Sequence, residues 1–402
     1  MKKLITIWLC VLGLLSAASL AADPIPPTIS AQSAILVDAV TGKVLYEKRC
    51  HVRRPPASTT KTMTAILALE NGNLNDIVSA SEHACSTPSC SLHLKAGERL
   101  TLNDLLYGLL LRSGNDAAVC VAEHVGGAEP KFVEMMNKKA REIGAKDTHF
   151  VNPHGLHDAK HYSTAYDLAL IAGYAIKSPI FNDIVQTKTA RIERSVNSED
   201  VHLKNTARFL WKFDGADGIK TGYTKEAGHC FVGSATRSGW RLITVVLKSE
   251  DAGADTEALL NYGFKHFKQV CFARTNEVVT TAPVSGGVTD RVGLAPEKDL
   301  ALVLKQSAKA ESKTDIDAKK AVAPVTKGEK LGTLTGYLNG DRVGSVDLLA
   351  AQSVDRTLVA TVWFWARSTL ITCMAFLVGF ISYGTAVAKA ARRRRRRLAS
   401  RC

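Results

Sequence analysis

From Ser368 to Ala388 the chain carries no charged side chain. A run of that length suits a helix crossing a bilayer, and in lipid a single segment can satisfy its backbone only as a helix. Trp363 and Trp365 border it on one side and Tyr383 lies near the other, where interfacial aromatics sit. Lys389, Arg392 to Arg397 and Arg401 follow. Positive flanks stay in the cytoplasm, so residues 389–402 read as a basic cytoplasmic tail and the bulk of the chain as exported. The opposite end agrees. Lys2 and Lys3 precede an apolar stretch from Leu4 to Leu20, and Ser19-Leu20-Ala21 offers a small-residue cleavage site, so residues 1–22 read as a secretory signal.

These ends account for most of the net charge of +14. The signal contributes two positive charges and residues 367–402 nine, with no acid in either, which leaves +3 on the exported portion. Nothing in that balance points to nucleic acid. Six cysteines fall outside the ends: Cys50, Cys85, Cys90, Cys120, Cys230 and Cys271. An exported compartment permits disulfides, and the sequence does not choose a pairing. Cys85 and Cys90 are close enough to close a small loop, whereas Cys120 and Cys230 sit in apolar surroundings that suit core thiols.

The exported portion is long enough for two domains with real cores. Ala34–Asp38 and Lys43–Glu47 read as a hairpin. Residues 71–99 read as loop-rich, with Gly97 as punctuation. Helical periodicity marks 101–111, 115–124, 130–143 and 166–176. After about Leu210 the pattern changes to short apolar runs, 219–223, 230–236 and 241–247, separated by glycine-rich turns, which read as consecutive antiparallel strands. A helix over 255–267 closes the domain. Helices in the middle and strands from both ends predict an α+β domain over residues 30–269, the N-terminal hairpin joining the later strands. Residues 270–352 predict a small β-sandwich. Its strongest signal is Asn339-Gly340 between strands 331–338 and 342–348, since a type I′ turn needs positive φ twice. The charged stretch 309–320 reads as an exposed loop. The membrane helix is placed at 363–388.

Three short motifs carry chemistry. Ser58-Thr59-Thr60-Lys61 follows Pro55-Pro56 and opens a helix whose apolar Met63, Ile66, Leu67 and Leu69 recur at helical spacing. Residues three apart share a face, so Ser58 and Lys61 meet. A serine hydroxyl needs a base, and a lysine amine is one if burial or another cation lowers its pKa. Ser113-Gly114-Asn115 ends the leucine-rich helix, where a serine can relay a proton and an asparagine can hold an amide. Lys220-Thr221-Gly222 opens the first late strand. Lys and Thr suit a carboxylate, and glycine allows close backbone approach. Each motif alone is commonplace: a polar helix face, a helix cap, an edge-strand patch.

Together, in the order S-x-x-K, S-x-N, K-T-G, they form the signature set of the penicillin-recognising serine enzymes. Further stretches resemble the low-molecular-mass penicillin-binding proteins, the serine D-alanyl-D-alanine carboxypeptidases: Asn152-Pro153-His154-Gly155-Leu156, His161-Tyr162-Ser163-Thr164-Ala165, Asp217 to Thr224 and Leu259 to Phe264. The resemblance covers about Ser30 to Leu349. It implies a penicillin-binding, β-lactamase-like transpeptidase fold with an antiparallel sheet and a helical subdomain. It also implies a hydrolase that removes the terminal D-alanine of a peptidoglycan pentapeptide stem, limits cross-linking and is acylated by β-lactams. Ser58 would attack, Lys61 take its proton, Ser113 relay a proton and Asn115 position the substrate. Lys220 and Thr221 would hold the terminal carboxylate, Lys220 also keeping Lys61 neutral. Gly222 would permit close approach, and the N–H groups of Ser58 and Tyr223 would form an oxyanion hole. No cofactor or metal is implied. The family often places an arginine shortly after the strand equivalent to 241–247. Lys248-Ser249-Glu250-Asp251 stands there instead, with Lys248 a possible substitute.

Three rivals are weaker. A class A β-lactamase needs a Glu-x-x-Leu-Asn loop, and the nearest match, Glu193-Arg194-Ser195-Val196-Asn197, lacks the leucine. His154-x-x-His157-x-x-x-His161 has metal-ligand spacing, but the family resemblance covers two of these histidines without a metal. A non-enzymatic scaffold fits poorly with three intact motifs.

Overall fold

The computed structural model describes residues 24–197 and 200–399, with side chains up to 392. The expected signal segment therefore lies outside the described residues. The chain divides into two compact units. One runs to Lys268 and takes in Val303–Ala308; the other comprises Gln269–Leu302 and the residues from Lys309 onward.

The first unit is built on a five-stranded antiparallel sheet. In chain order its strands are β1 (Ser33–Asp38), β2 (Val44–Lys48), β3 (Ala216–Thr224), β4 (Gly228–Arg237) and β5 (Trp240–Ser249), arranged in space as β2-β1-β5-β4-β3. The N-terminal hairpin joins the later strands as expected, Ile35 pairing with Val245. All six residues of β1 are buried, which requires cover on both faces. Alternation supplies it. Ile35, Val37, Ile243 and Val245 face a core shared with the central helices, while Ala34, Leu36, Leu242 and Val246 face a second core with Leu259 and Leu260. Those two leucines lie on the helix Ala252–His266, which Asp251 caps by accepting from the Ala254 N–H.

On the other face, helix α1 (Lys61–Asn71) is buried from Lys61 to Ala68. It packs among α2 (Leu102–Leu111), α3 (Asn115–Gly126), α4 (Glu129–Ile143) and α5 (Ala165–Ala175). Thr101 and Thr164 cap α2 and α5 through their side chains. Sequence periodicity misses the helix Pro179–Gln186, although Ser178 caps it and Pro179 occupies its first turn. Two more short elements interrupt the loop-rich stretch: a strand Ile77–Ser79 paired with Arg99–Thr101, and one helical turn at Glu82–Cys85. Strand β3 begins at Ala216, so the Lys220 triplet lies within the strand and does not open it.

The second unit is the small β domain. Its six-stranded sheet follows the order Ser312–Ala318, Lys330–Leu338, Asp341–Ala350, Arg291–Pro296, Thr280–Ser285, Ala321–Val322. Asn339 and Gly340 form the expected hairpin turn with φ of 52° and 90°. The charged stretch read as a loop is corrected. Residues 312–318 are an edge strand in register with Lys330–Leu338. Six of its seven residues are exposed. It therefore has no buried face to write into the sequence, and Lys313, Asp315 and Asp317 protect the open edge from further pairing. A helix, Leu358–Ala399, follows, its residues up to 392 mostly exposed. Its segment Leu358–Arg392 is long and apolar enough to span a membrane, and it starts before the expected 363.

Of the cysteines, Cys50, Cys85, Cys90, Cys120, Cys230 and Cys271 are all free thiols. Cys120 and Cys230 are buried, as their apolar surroundings suggest.

Gly155 is one glycine the fold cannot exchange. Its φ is +89°, and a Cβ there would run into the carbonyl of Ala57, the residue before Ser58. Gly127 has a similar φ of +76° with open space around it. Gly155→Ala is expected to cost ~3 kcal/mol or more, against ~1 kcal/mol for Gly127→Ala. Urea unfolding of the two variants checks this, and equal losses would show that the Ala57 contact is not constraining.

Candidate active site

Ser58 sits in a 3₁₀ turn, Ala57–Thr60, and Lys61 is the first residue of α1. In a 3₁₀ turn residues i and i+3 eclipse, so the tighter turn aligns the two side chains more closely than an α-helix would. Ala57 has a φ of +49°, an uncommon value for a non-glycine residue and a sign of local strain at this turn. The Lys61 Nζ lies 2.9 Å from Ser58 Oγ. Two further contacts fix the amine: it donates to Asn115 Oδ1 at 2.7 Å and to the His154 carbonyl at 2.7 Å. Lys61 is fully buried. Burial, then the charge of Lys220, drives its pKa well below the ordinary lysine value. A neutral amine has two N–H bonds and one lone pair. Asn115 Oδ1 and the His154 carbonyl can only accept, so they take both hydrogens. The lone pair is left for the Ser58 hydroxyl, the geometry a general base requires.

Asn115 opens α3 and is itself oriented. Its Nδ2 donates to the Pro88 carbonyl at 2.8 Å, which turns Oδ1 toward Lys61, and its backbone N–H donates to the Cys90 carbonyl at 2.6 Å. Ser113, between α2 and α3, has a φ of +63°. Its Oγ is buried without a hydrogen-bond partner in the protein, and the residue lines the same cleft as Ser58. A buried, unsatisfied hydroxyl at a cleft wall costs stability unless something else completes it.

Lys220 is also buried and donates to the Thr221 carbonyl at 3.1 Å. Burial pushes its pKa down to about 8. Strand β3 is the edge of the sheet, so one of its backbone edges is unpaired. Gly222 lies against Ser58: a Cβ there would stand 2.9 Å from the Ser58 nitrogen and 3.1 Å from the Ala57 Cβ. Ser58, Ser113, Thr221, Gly222 and Tyr223 line one cleft of ≈ 630 Å³. Lys61, Asn115 and Lys220 lie behind it, which suits groups that act on the serine.

The histidine cluster is accounted for by structure. The Val151 N–H donates to His161 Nδ1 at 3.1 Å, so Nε2 carries the hydrogen and donates to Thr60 Oγ1 at 2.8 Å. His154 Nδ1 accepts from the Leu156 N–H, and burial lowers the pKa of both rings to about 3. His157 is exposed. The Glu193 stretch is anchored by Arg194, whose buried guanidinium pairs with Glu98 at 2.8 Å.

Sequence reasoning missed the His154 carbonyl, because backbone acceptors leave no residue-type signal. It also missed Thr206 and Arg208, which line the cleft from the loop before the helix Phe209–Lys212. Lys248, the possible substitute for the absent arginine, is exposed and is not among the residues lining that cleft.

Comparison with known proteins gives the family. Residues 20–251 match the family model described as D-alanyl-D-alanine carboxypeptidase, and residues 267–356 match that of the penicillin-binding protein 5 C-terminal domain. The D-alanyl-D-alanine carboxypeptidase DacF of Bacillus subtilis is 34% identical over 336 residues, covering 81% of this chain and 86% of the relative. DacA of Escherichia coli is 32% identical over 345 residues, 82% and 84% of the two chains. The crystal structure of penicillin binding protein 5 from Haemophilus influenzae superposes with a TM-score of 0.62 at 32% identity, covering 83% of this chain and 100% of that one. Matching the carboxypeptidase family model over more than half its length and these relatives over most of it, the chain belongs to the D-alanyl-D-alanine carboxypeptidase family.

Proposed function

We propose that Ser58 is the nucleophile of a D-alanyl-D-alanine carboxypeptidase acting on peptidoglycan stems outside the cell membrane. The observation that carries this is the fully buried Lys61 amine, 2.9 Å from Ser58 Oγ, with two acceptors on its hydrogens and its pKa held well below the ordinary lysine value. The stem peptide lies along the open edge of β3 as an added strand. Ser58 Oγ attacks the carbonyl carbon of the penultimate D-alanine and its proton passes to Lys61. The N–H groups of Ser58 and Tyr223 stabilise the oxyanion. The C–N bond breaks, and the terminal D-alanine leaves with a proton relayed through the otherwise unpartnered Ser113 hydroxyl. Water then attacks the Ser58 ester, Lys61 again serving as base, and the shortened stem is released. Asn115 positions the substrate backbone, and Lys220 and Thr221 hold its carboxylate. A β-lactam presents the same amide and carboxylate and stays on Ser58 as an acyl-enzyme.

Residues 30–269 carry this chemistry. Residues 270–352 link them in sequence to the helix that holds the protein in the bacterial membrane as a single span. The Arg392–Arg397 run stays on the cytoplasmic side and the catalytic domain on the periplasmic or extracellular side. Removing the terminal D-alanine destroys the donor for transpeptidation, so the activity limits cross-linking.

Release of D-alanine from a pentapeptide is the direct measurement. Ser58→Ala is expected to lower kcat/KM by about 10³-fold or more and to abolish labelling by penicillin; wild-type release by that variant would refute the assignment. Lys220 sets the pH dependence. Its pKa is lowered to about 8, so it is charged below that pH and loses its charge above it. Activity is expected to fall as pH rises through about 8, because both the carboxylate hold and the charge that depresses Lys61 weaken. Lys220→Arg keeps its charge in this range and is expected to move that limb up by about 2 units or more. A rate that climbs steadily from pH 8 to 10 in the wild type would contradict this role.

A further inference from the structure

Strand β2 ends in the sequence Glu47-Lys48-Arg49-Cys50-His51. Among the described residues, this is the one place where three histidine, cysteine, aspartate or glutamate side chains bring ligand atoms within 4.8 Å of one another. Glu47 is held in the sheet, paired with Ile35 of β1. Arg49 takes a φ of 45° where the chain turns. Cys50 packs into the core at 3% exposure, while Glu47 and His51 stay exposed. Helix α5 fixes the turn: the Tyr166 N–H donates to the Cys50 carbonyl at 3.0 Å, and the His51 ring lies 4.8 Å from the Tyr166 ring. Cys50 Sγ donates to Glu47 Oε2 at 3.5 Å. A sulfur and an oxygen bound to one tetrahedral zinc ion stand about 3.5 Å apart, given bonds of about 2.3 and 2.1 Å. The thiol and the carboxylate therefore already have the spacing of a zinc-bound pair, and rotation of the exposed His51 side chain completes a third ligand.

We propose that Glu47, Cys50 and His51 bind one zinc ion, with a fourth position open to water. A thiolate with an imidazole and a carboxylate suits zinc, whereas magnesium and calcium take oxygen ligands. Charge agrees, since thiolate and carboxylate together offset a divalent cation. The neighbouring cations are engaged elsewhere. Lys48 Nζ donates to the Ile29 carbonyl at 3.0 Å, Arg53 pairs with Asp147 at 2.7 Å, and the Arg54 guanidinium donates to Ser33 and Gln32. Burial, then the hydrogen bond to Glu47, pushes the Cys50 thiol up to about 11, so it carries its proton until zinc displaces that proton to solvent. None of the three residues lines the Ser58 cleft, so this site stands independently of the catalytic assignment. The bound ion clamps the end of β2 to the turn that follows it, and so stabilises the fold.

Zinc content after equilibrium dialysis of the untagged full chain in detergent, first stripped with a chelator, is the direct measurement. Other thiols of the chain can take up zinc, so the readout is the difference between variants. Wild type is expected to hold one more zinc ion per chain than Cys50→Ser or His51→Ala. Cys271→Ser, which alters an exposed thiol of the other unit, is expected to match wild type. Cobalt(II) in place of zinc is expected to give a thiolate-to-metal absorption band that is weaker in Cys50→Ser by the share of one site. Zinc at about 100 times its Kd is expected to raise the Tm of wild type by about 3 to 5 °C and to leave that of His51→Ala unmoved. Should Cys50→Ser lose its cooperative thermal transition, and so be misfolded, His51→Ala at its exposed position carries the comparison. Equal zinc content and equal thermal shifts in wild type and His51→Ala would overturn the site.

Discussion

Everything in the catalytic unit depends on one buried amine without a paired carboxylate. An ammonium ion taken out of water is costly unless an anion compensates it, and an unpaired buried lysine responds by giving up its proton. Lys61 meets that condition: it is fully buried, its direct partners are a hydroxyl, an amide oxygen and a backbone carbonyl, and a second cation lies nearby. None of these partners would fully offset a charge, and all of them suit a neutral amine with its lone pair aimed in one direction. Burial that would be a defect in a purely structural helix is here what lowers the amine's hold on its proton.

The site draws on three separate parts of the fold, and close approach is what joins them. Ser58 and Lys61 come from the start of the central helix, Ser113 and Asn115 from the turn between two helices, and Lys220 to Tyr223 from the sheet edge. Gly155 backs the turn that carries Ser58, and Gly222 lets the strand lie against the Ser58 nitrogen. Side chains at either place would push the strand or loop outward and open the cleft. The positive φ values at Ala57 and Ser113 mark where the backbone bends against its preference to bring these pieces together.

Much of this was legible in the sequence, for stated reasons. Spacing of three identified Ser58 and Lys61, and the structure adds only that the turn is 3₁₀. Apolar periodicity located the long helices and the strands with a buried face. What stayed hidden left no periodic or compositional mark. The strand at 312–318 has no buried face, the helix at 179–186 is short, and the pairs 77–79 with 99–101 are three residues each. Arg208 was invisible because an exposed arginine in a loop resembles any other until the cleft it lines is known. The sequence left disulfides open, and in the fold Cys50, Cys85, Cys90, Cys120, Cys230 and Cys271 are all free.

One buried carboxylate explains why the amine can stay unpaired. Asp116 is fully buried beside Asn115 and raises the Lys61 pKa slightly, against the larger effects of burial and Lys220. Its oxygens are already engaged. They accept from the Leu92, Leu94 and Ala117 N–H groups and from the Ser91 hydroxyl. Those bonds hold the segment 91–94, and just before it Pro88 and Cys90 offer the carbonyls that orient Asn115. The acid therefore acts on the lysine indirectly. It fixes the loop, the loop fixes the asparagine amide, and the amide oxygen takes one hydrogen of the Lys61 amine. Were the carboxylate to bond Lys61 directly, it would hold the amine protonated and remove the base. Committing it to backbone N–H groups keeps the charge buried and satisfied while leaving the amine neutral.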